Sequence, residues 1–291
     1  MGSMVVQGTC TEVEKAYLRL TSAPDPRTVR PQKILERALY LVCDKVRVGK
    51  ENYFYAQDQL KAIRQDCTVQ HIRNDFTVKV YETHARMAIE YGELADYNQC
   101  QSQLITLYGE GLAGCVSEFL GYRILYQMFA QTSGYGEVLK SLKVSTAHAD
   151  DPNVKYALML RDAIQSNNFM RVFKLYGEVP NLGKHLIDLF IDKERFKYLK
   201  IICKSFRPSV PLGYVSKGLG FGDGEDGMAR CHAWLGRHGC RFVGEVNKVS
   251  EDVMVDCKTS LGTIAIPKDE NRVSHGDANL AIDDFLKAAF K

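Results

Sequence analysis

"RQDCTVQHIRNDFTVKVYETHARMAIEYG", Arg64 to Gly92, is the stretch on which the fold turns. It opens with two Arg, two Asp, two Gln, a His and a Cys between Arg64 and Phe76. Such a crowd suits either an active site or a helix junction, and the residues that follow discriminate. With Thr68 as N-cap and a helix running to Tyr91, Val69, Ile72, Phe76, Val80, Thr83, Met87 and Tyr91 fall in one stripe. Val78, Tyr81, Ala85, Ala88 and Ile89 fall on the opposite side. A helix apolar on two sides is sandwiched between neighbours. Asp75 and Lys79, and Glu82 and Arg86, stand at i, i+4, a spacing that supports a helix by about 0.2–0.5 kcal/mol per pair. Asp66 and Thr68 lie where one helix ends and the next begins, and the free N–H groups of a helix start want oxygen acceptors. The crowd therefore reads as a helix corner. A Cys67–His71 nucleophile pair with Asp66 or Asp75 is the competitor. Nothing local supplies an oxyanion hole, and Glu82 with His84 does not make HExxH.

Outward from this stretch, Thr11 to about Lys204 reads as helix after helix. Thr11-x-x-Glu14 is a capping box before "KAYLRL". Pro31 opens "PQKILERALYLVCDKVRV", which Gly49 ends. "NYFYAQDQLKAIR", "ELADYNQCQSQLITLYG", "VSEFLGYRILYQMFA", "NVKYALMLRDAIQSN" and "NFMRVFKLYGEV" are further helices. Most joints are short and carry Gly, Asn, Asp or Pro. Short joints imply antiparallel neighbours stacked as an α-solenoid of TPR-like helical pairs.

After Phe206 the pattern changes. "RPSVPLGYVSKGLGF" and "DGMARCHAWLGRHG" are short helices, the second ended by Gly239. "CRFVGEV", "VMVDCK" and "GTIAI" are β-type runs. Helices followed by a small hairpin make a C-terminal winged helix. The fold expected is mainly α, with a helical-repeat part over 8–182 and a winged-helix part over 183–291. "DANLAIDDFLKAAF" near the end is a last amphipathic helix.

The bulk numbers fit a globular protein of 291 residues, 45% apolar and 25% charged. A net charge of +3 is only mildly basic, so a nucleic-acid case needs local clustering. Nine scattered Cys without CxxC and without a secretory signal read as reduced thiols in an intracellular protein. No apolar run is long enough to span a membrane. The opening "MGSM" reads as an expression scar. Gly222-Asp-Gly224-Glu-Asp-Gly227 fits GxGxxG, but a helix precedes it and three carboxylates would face the pyrophosphate. Cys231, His232, His238 and Cys240 lack the paired spacing of a zinc site. There is no P-loop and no GxSxG. Neither a cofactor nor a metal is expected.

The stretch that opens this section also carries a likeness. "AIRQDCTVQHIRNDFTVKVYETHARMAIE" resembles the core of the Sac-three/GANP family of PCI-domain proteins. So do "TCTEVEKAYLRLTSAPDPRTVRP", "DYNQCQSQLITLY", "SEFLGYRILYQMF" and "FRPSVPLGYVSKGLGF". The likeness runs from Gly8 to Phe221, is looser after Gly222, and is nearest to the branch typified by leukocyte receptor cluster member eight. It implies a PCI domain and a non-enzymatic scaffold in mRNA processing and export, in the manner of the TREX-two complex. It also implies two partners: a second PCI-domain protein joined through the winged helix, and a small acidic protein of the DSS-one/Sem-one type. The location implied is nuclear, with the cytoplasm as a second option. Adjoining winged helices in such complexes offer a basic surface to RNA or DNA.

The residues themselves nominate such a surface. Lys193, Arg195, Lys197, Lys200, Lys204, Arg207 and Lys217 are basic, and Glu194 is the one acid among them. On a helix Lys193, Lys197, Lys200 and Lys204 form a narrow stripe, while Phe196, Leu199, Cys203 and Phe206 face the core. The expected recognition helix carries Arg230, His232, Arg237 and His238, and Arg241 and Lys248 follow on the wing. Trp234 is expected in the core rather than under a base. The nominated nucleic-acid contacts are Lys193, Lys197, Lys200, Lys204, Arg207, Lys217, Arg230, Arg237, Arg241 and Lys248. The competing reading is a pure protein–protein scaffold in a proteasome-lid-like or signalosome-like assembly, the lysines being a solvated face.

Overall fold

The computed structural model describes residues 6–130, 148, 150–243 and 253–265. Among them are twelve α-helices and three short strands, so the protein is mainly helical. Two compact units divide between Phe119 and Leu120.

The first unit holds α1 (Gln32–Arg47), α2 (Tyr53–Val69), α3 (Asp75–Tyr91), α4 (Leu94–Gly109) and the start of α5 (Val116–Ala130). Successive helices pack on one another, and α3 lies against both α2 and α4, the two-sided burial its two apolar stripes imply. Asn52 and Asn74 cap α2 and α3 by accepting from the Tyr55 and Thr77 amides, and Gly92 closes α3 at φ 78°. Leu35, Leu39 and Val42 of α1 meet Leu60, Ile63 and Cys67 of α2 and Val80 of α3 in the core.

Three expectations in this region need correction. Residues 11–20 form no helix. Their polar groups find partners on α2 instead: the Lys15 amide donates to Gln59, the Tyr17 amide to Asp58, and the Gln65 side chain to the Leu18 carbonyl. Glu14 accepts from Lys45 at 2.6 Å and from the Tyr55 hydroxyl, so it caps nothing. Nor does the helix of Arg64–Gly92 begin at Thr68. Thr68 belongs to α2, its hydroxyl on the Arg64 carbonyl at 2.8 Å. The true corner is 70–74. His71 takes φ 53°, and the His71 and Ile72 amides donate to the Thr68 and Cys67 carbonyls, a Schellman closure. Asp75 accepts from the Ala113 amide, and Arg86 binds Glu118 at 2.6 Å, with Glu82 farther at 3.5 Å.

The polar crowd is structural, as expected, yet its partners lie farther away in sequence than a corner requires. Asp66 is buried and accepts from Lys15 Nζ and Arg30 Nε, each at 2.7 Å. Gln70 accepts from the Gly8 amide and donates to the Arg30 and Asp66 carbonyls. Arg64 donates to Gln99 and lies over the Tyr81 ring. Asp66 and Gln70 fasten residues 8–30 to α2, and Arg64 ties α2 to α3 and α4. Burial pushes the Cys67 thiol up to about 12, the opposite of an activated nucleophile.

The second unit continues with α6 (Pro152–Gln165), α7 (Phe169–Tyr176), α8 (Gly183–Asp188) and α9 (Ile191–Ser205). Then follow β1 (Ser209–Pro211), α10 (Leu212–Gly218), α11 (Glu225–Arg237), β2 (Arg241–Val243), β3 (Met254–Asp256) and α12 (Cys257–Thr263). The strands form one antiparallel sheet in the order β1-β3-β2. The described part of "GTIAI", residues 262–265, forms no strand: α12 runs through Thr263, started by Asp256, which accepts from the Thr259 amide at 3.0 Å. The Pro208 carbonyl takes the Cys257 and Lys258 amides. Trp234 is 2% exposed and anchors this core, with Cys231, Leu235 and Val255. The expected helix in "DANLAIDDFLKAAF" lies outside the described residues.

Candidate nucleic-acid interface

Helix α9 carries the basic stripe because its apolar residues are spent on the other side. Phe196, Leu199, Ile202 and Cys203 are buried, and α12 packs on this helix. Lys193, Lys197, Lys200 and Lys204 are left in solvent, as their spacing implies. Arg195 leaves the set. It is buried, donates to the Leu219 carbonyl at 3.0 Å and to Asp192 at 2.9 Å, and lies 4.1 Å from the Phe221 ring centre. Lys197 is partly neutralised by buried Glu194 at 2.7 Å. Lys200 lies over the Phe196 ring at 4.5 Å. Lys193 and Lys204 have no ion pair among the described residues. Lys193 and Lys197 also line a cleft of about 180 Å³ with Arg161.

Strand register brings a second group together. Ser209 and Arg241 both stand opposite Asp256, one on each side of the central strand. The starts of β1 and β2 therefore share one end of the sheet, roughly 10 Å apart across two strand spacings. Arg207 precedes β1 at that end, and exposed Lys258 follows β3 there. Arg237 is four residues upstream of Arg241, exposed at the end of α11. Asp256 is the anion in this group. The Thr259 hydroxyl and amide, with Lys258 nearby, hold its carboxyl below the usual range.

The remaining nominees behave differently. Lys217 pairs with Asp223 at 3.2 Å, both exposed. Arg230 donates to the Phe221 carbonyl at 3.1 Å. His238 is buried and its Nδ1 meets the Trp234 carbonyl at 2.8 Å, while His232 stacks on Phe242 with ring centres 4.1 Å apart. Neither histidine is free to read a base. Lys248 lies outside the described residues.

Sequence reasoning missed four residues here. Arg161 and Lys258 sit on elements far apart in sequence from α9 or inside a run read as strand. Phe206, assigned to the core, is 39% exposed, and its ring pairs with that of Tyr214, itself 45% exposed. Phe206 is the C-cap of α9, where the chain turns extended and the helical period stops predicting which way a side chain points.

A family model matches residues 11–237 by its description "SAC3/GANP family". The chain belongs to the SAC3/GANP family. The match continues past Phe221, beyond which the likeness is looser, to the end of α11. Among curated relatives, the chain is 44% identical over 294 residues to SAC3 family protein A of Arabidopsis thaliana, covering 98% of this chain and 28% of that one. It is 42% identical to a leukocyte receptor cluster member 8 homolog of Xenopus laevis, over 89% of this chain and 31% of that one. It is 45% identical to a THP3 homolog of Schizosaccharomyces pombe, over 75% of this chain and 55% of that one. This SAC3/GANP chain thus spans between about a quarter and about a half of the length of these relatives.

Proposed function

We propose that this SAC3/GANP chain is a non-enzymatic scaffold of an mRNA processing and export complex that presents a basic surface to RNA. In this reading residues 8–182 are the α-solenoid part of a PCI domain and 183–291 its winged-helix part. The winged helix joins a second PCI-domain protein, and a small acidic protein of the DSS-one/Sem-one type binds alongside. The location is nuclear. Basic patches of the two winged helices merge into one platform, which accounts for the modest charge of a single chain. The observation that carries the RNA surface is the exposed stripe of α9 running on into Arg207, with Lys193 and Lys204 unpaired among the described residues. Phosphate contacts release counterions, so such binding weakens steeply with salt.

The test is retention of RNA by the chain paired with its PCI partner across a salt series. Lys200→Glu, Lys204→Glu and Arg237→Glu together should weaken binding and flatten the salt slope, each lost contact removing about 0.7 from the log–log slope on a single strand. Unchanged affinity in that triple variant would sink the surface. A pure protein–protein scaffold is favoured by one observation: Lys197, Lys217 and Arg230 are each engaged locally. Heparin separates the two readings, since only the RNA surface predicts retention above ordinary ion exchange.

A further inference from the structure

We propose that Phe206 and Tyr214 form a base-stacking platform, so that this interface takes single-stranded nucleic acid rather than duplex; the inference rests on the reading of α9 as an RNA surface. The two ring centres lie 5.1 Å apart with planes tilted by 58°. A tilted pair packs edge to face and leaves ring faces open, in keeping with the exposure of both residues. The fold has ample capacity to bury apolar groups at this point. Val210, Leu212 and Val215, from the same few residues, are at most 2% exposed. The two rings nonetheless stay in solvent.

Their surroundings suit a polyanion. Lys204 and Arg207 flank Phe206 along the chain, and Lys217 stands at i+3 from Tyr214 on α10. Lys217 is paired with Asp223, but both side chains are exposed, so the pair exchanges readily with phosphate. Tyr198, stacked on Phe169 with ring centres 5.1 Å apart and on Phe173 at 6.0 Å, has its hydroxyl beside that of Tyr214. In a duplex the base faces already stack on one another, so only an unpaired strand can use such rings.

The experiment titrates the full chain against a short labelled oligouridylate and against an RNA duplex of equal length, by fluorescence anisotropy. Phe206→Ala and Tyr214→Ala should each weaken single-strand binding about tenfold, a typical loss for one stacked base, with the salt slope and the duplex affinity unchanged. Phe206→Tyr and Tyr214→Phe should keep parental affinity, which separates ring stacking from loss of the fold. If the alanine variants bind the single strand within about twofold of the parent, the rings serve another contact, such as a protein, and the platform is overturned. If the parent itself retains neither probe, alone or with its PCI partner, the RNA surface has failed and the platform falls with it.

Discussion

Asp66 is 1% exposed, yet both its oxygens hold a cation, one from Lys15 and one from Arg30. Removing one partner of such a buried set leaves charge without compensation, at a cost of about 3–5 kcal/mol. Asp66→Ala should lose that much by urea denaturation, and Asp66→Asn less. His84 is a second buried polar residue of the first unit, fully covered, with Nε2 3.8 Å from Asp96 and with Lys61 and Arg64 nearby. Burial outweighs Asp96 and holds the imidazole below its usual value. The unfolded chain therefore takes up the proton first. The stability this residue contributes is full above about pH 6.5 and declines as pH falls through that value toward the folded one. Melting temperature should drop between pH 7.5 and 5.5, and His84→Gln should flatten the drop. Equal losses in parent and variant would exclude His84 as the cause. Burial alone would raise the Asp96 carboxyl, but His84, Gln57 and Lys61 reverse it and hold the group well below the carboxylate range.

At the scale of elements, periodic segments were legible and boundaries were not. The two apolar stripes of α3 imply a sandwiched helix, and α2 and α4 provide the slices of core on either side. The N-cap of α3 lies six residues beyond Thr68, because Thr68 and Asn74 are both good caps and only the left-handed turn at His71 separates them. The capping box at Thr11 failed for a different reason. Its helix competes with side chains of α2 that satisfy the same amides, and such long-range partners leave no mark on a short window of sequence. Likewise "GTIAI" has strand composition, but Asp256 and the Pro208 carbonyl supply what a helix start needs. Gly239 is a helix terminator by sequence and takes φ 81°. A Cβ there would lie 2.7 Å from the Thr263 carbonyl oxygen at the end of α12. Gly239→Ala should cost about 1–3 kcal/mol in thermal or chemical melting, combining backbone strain with that collision. A neutral substitution would mean that α11 and α12 can separate without penalty.

For the molecule as a whole, the family and the mainly helical class were readable from ordered motifs, whereas the interface was readable only in part. Periodicity placed the four lysines of α9 in solvent. It could not foresee that strand register sets Arg207 and Arg241 at one end of a sheet, or that Lys258 joins them, because those residues lie up to 51 positions apart. The fastening of residues 8–30 onto α2 carries a practical consequence for dissecting this protein. By helix count alone, Pro31 looks like a natural place to begin a shorter version. Such a cut would discard Lys15 and Arg30 together, strand the Asp66 carboxylate in an apolar interior, and uncover the part of the α1–α2–α3 core on which Val13 packs. The minimal soluble fragment should therefore start before Gly8, and a fragment starting at Pro31 should be recovered mainly as aggregate.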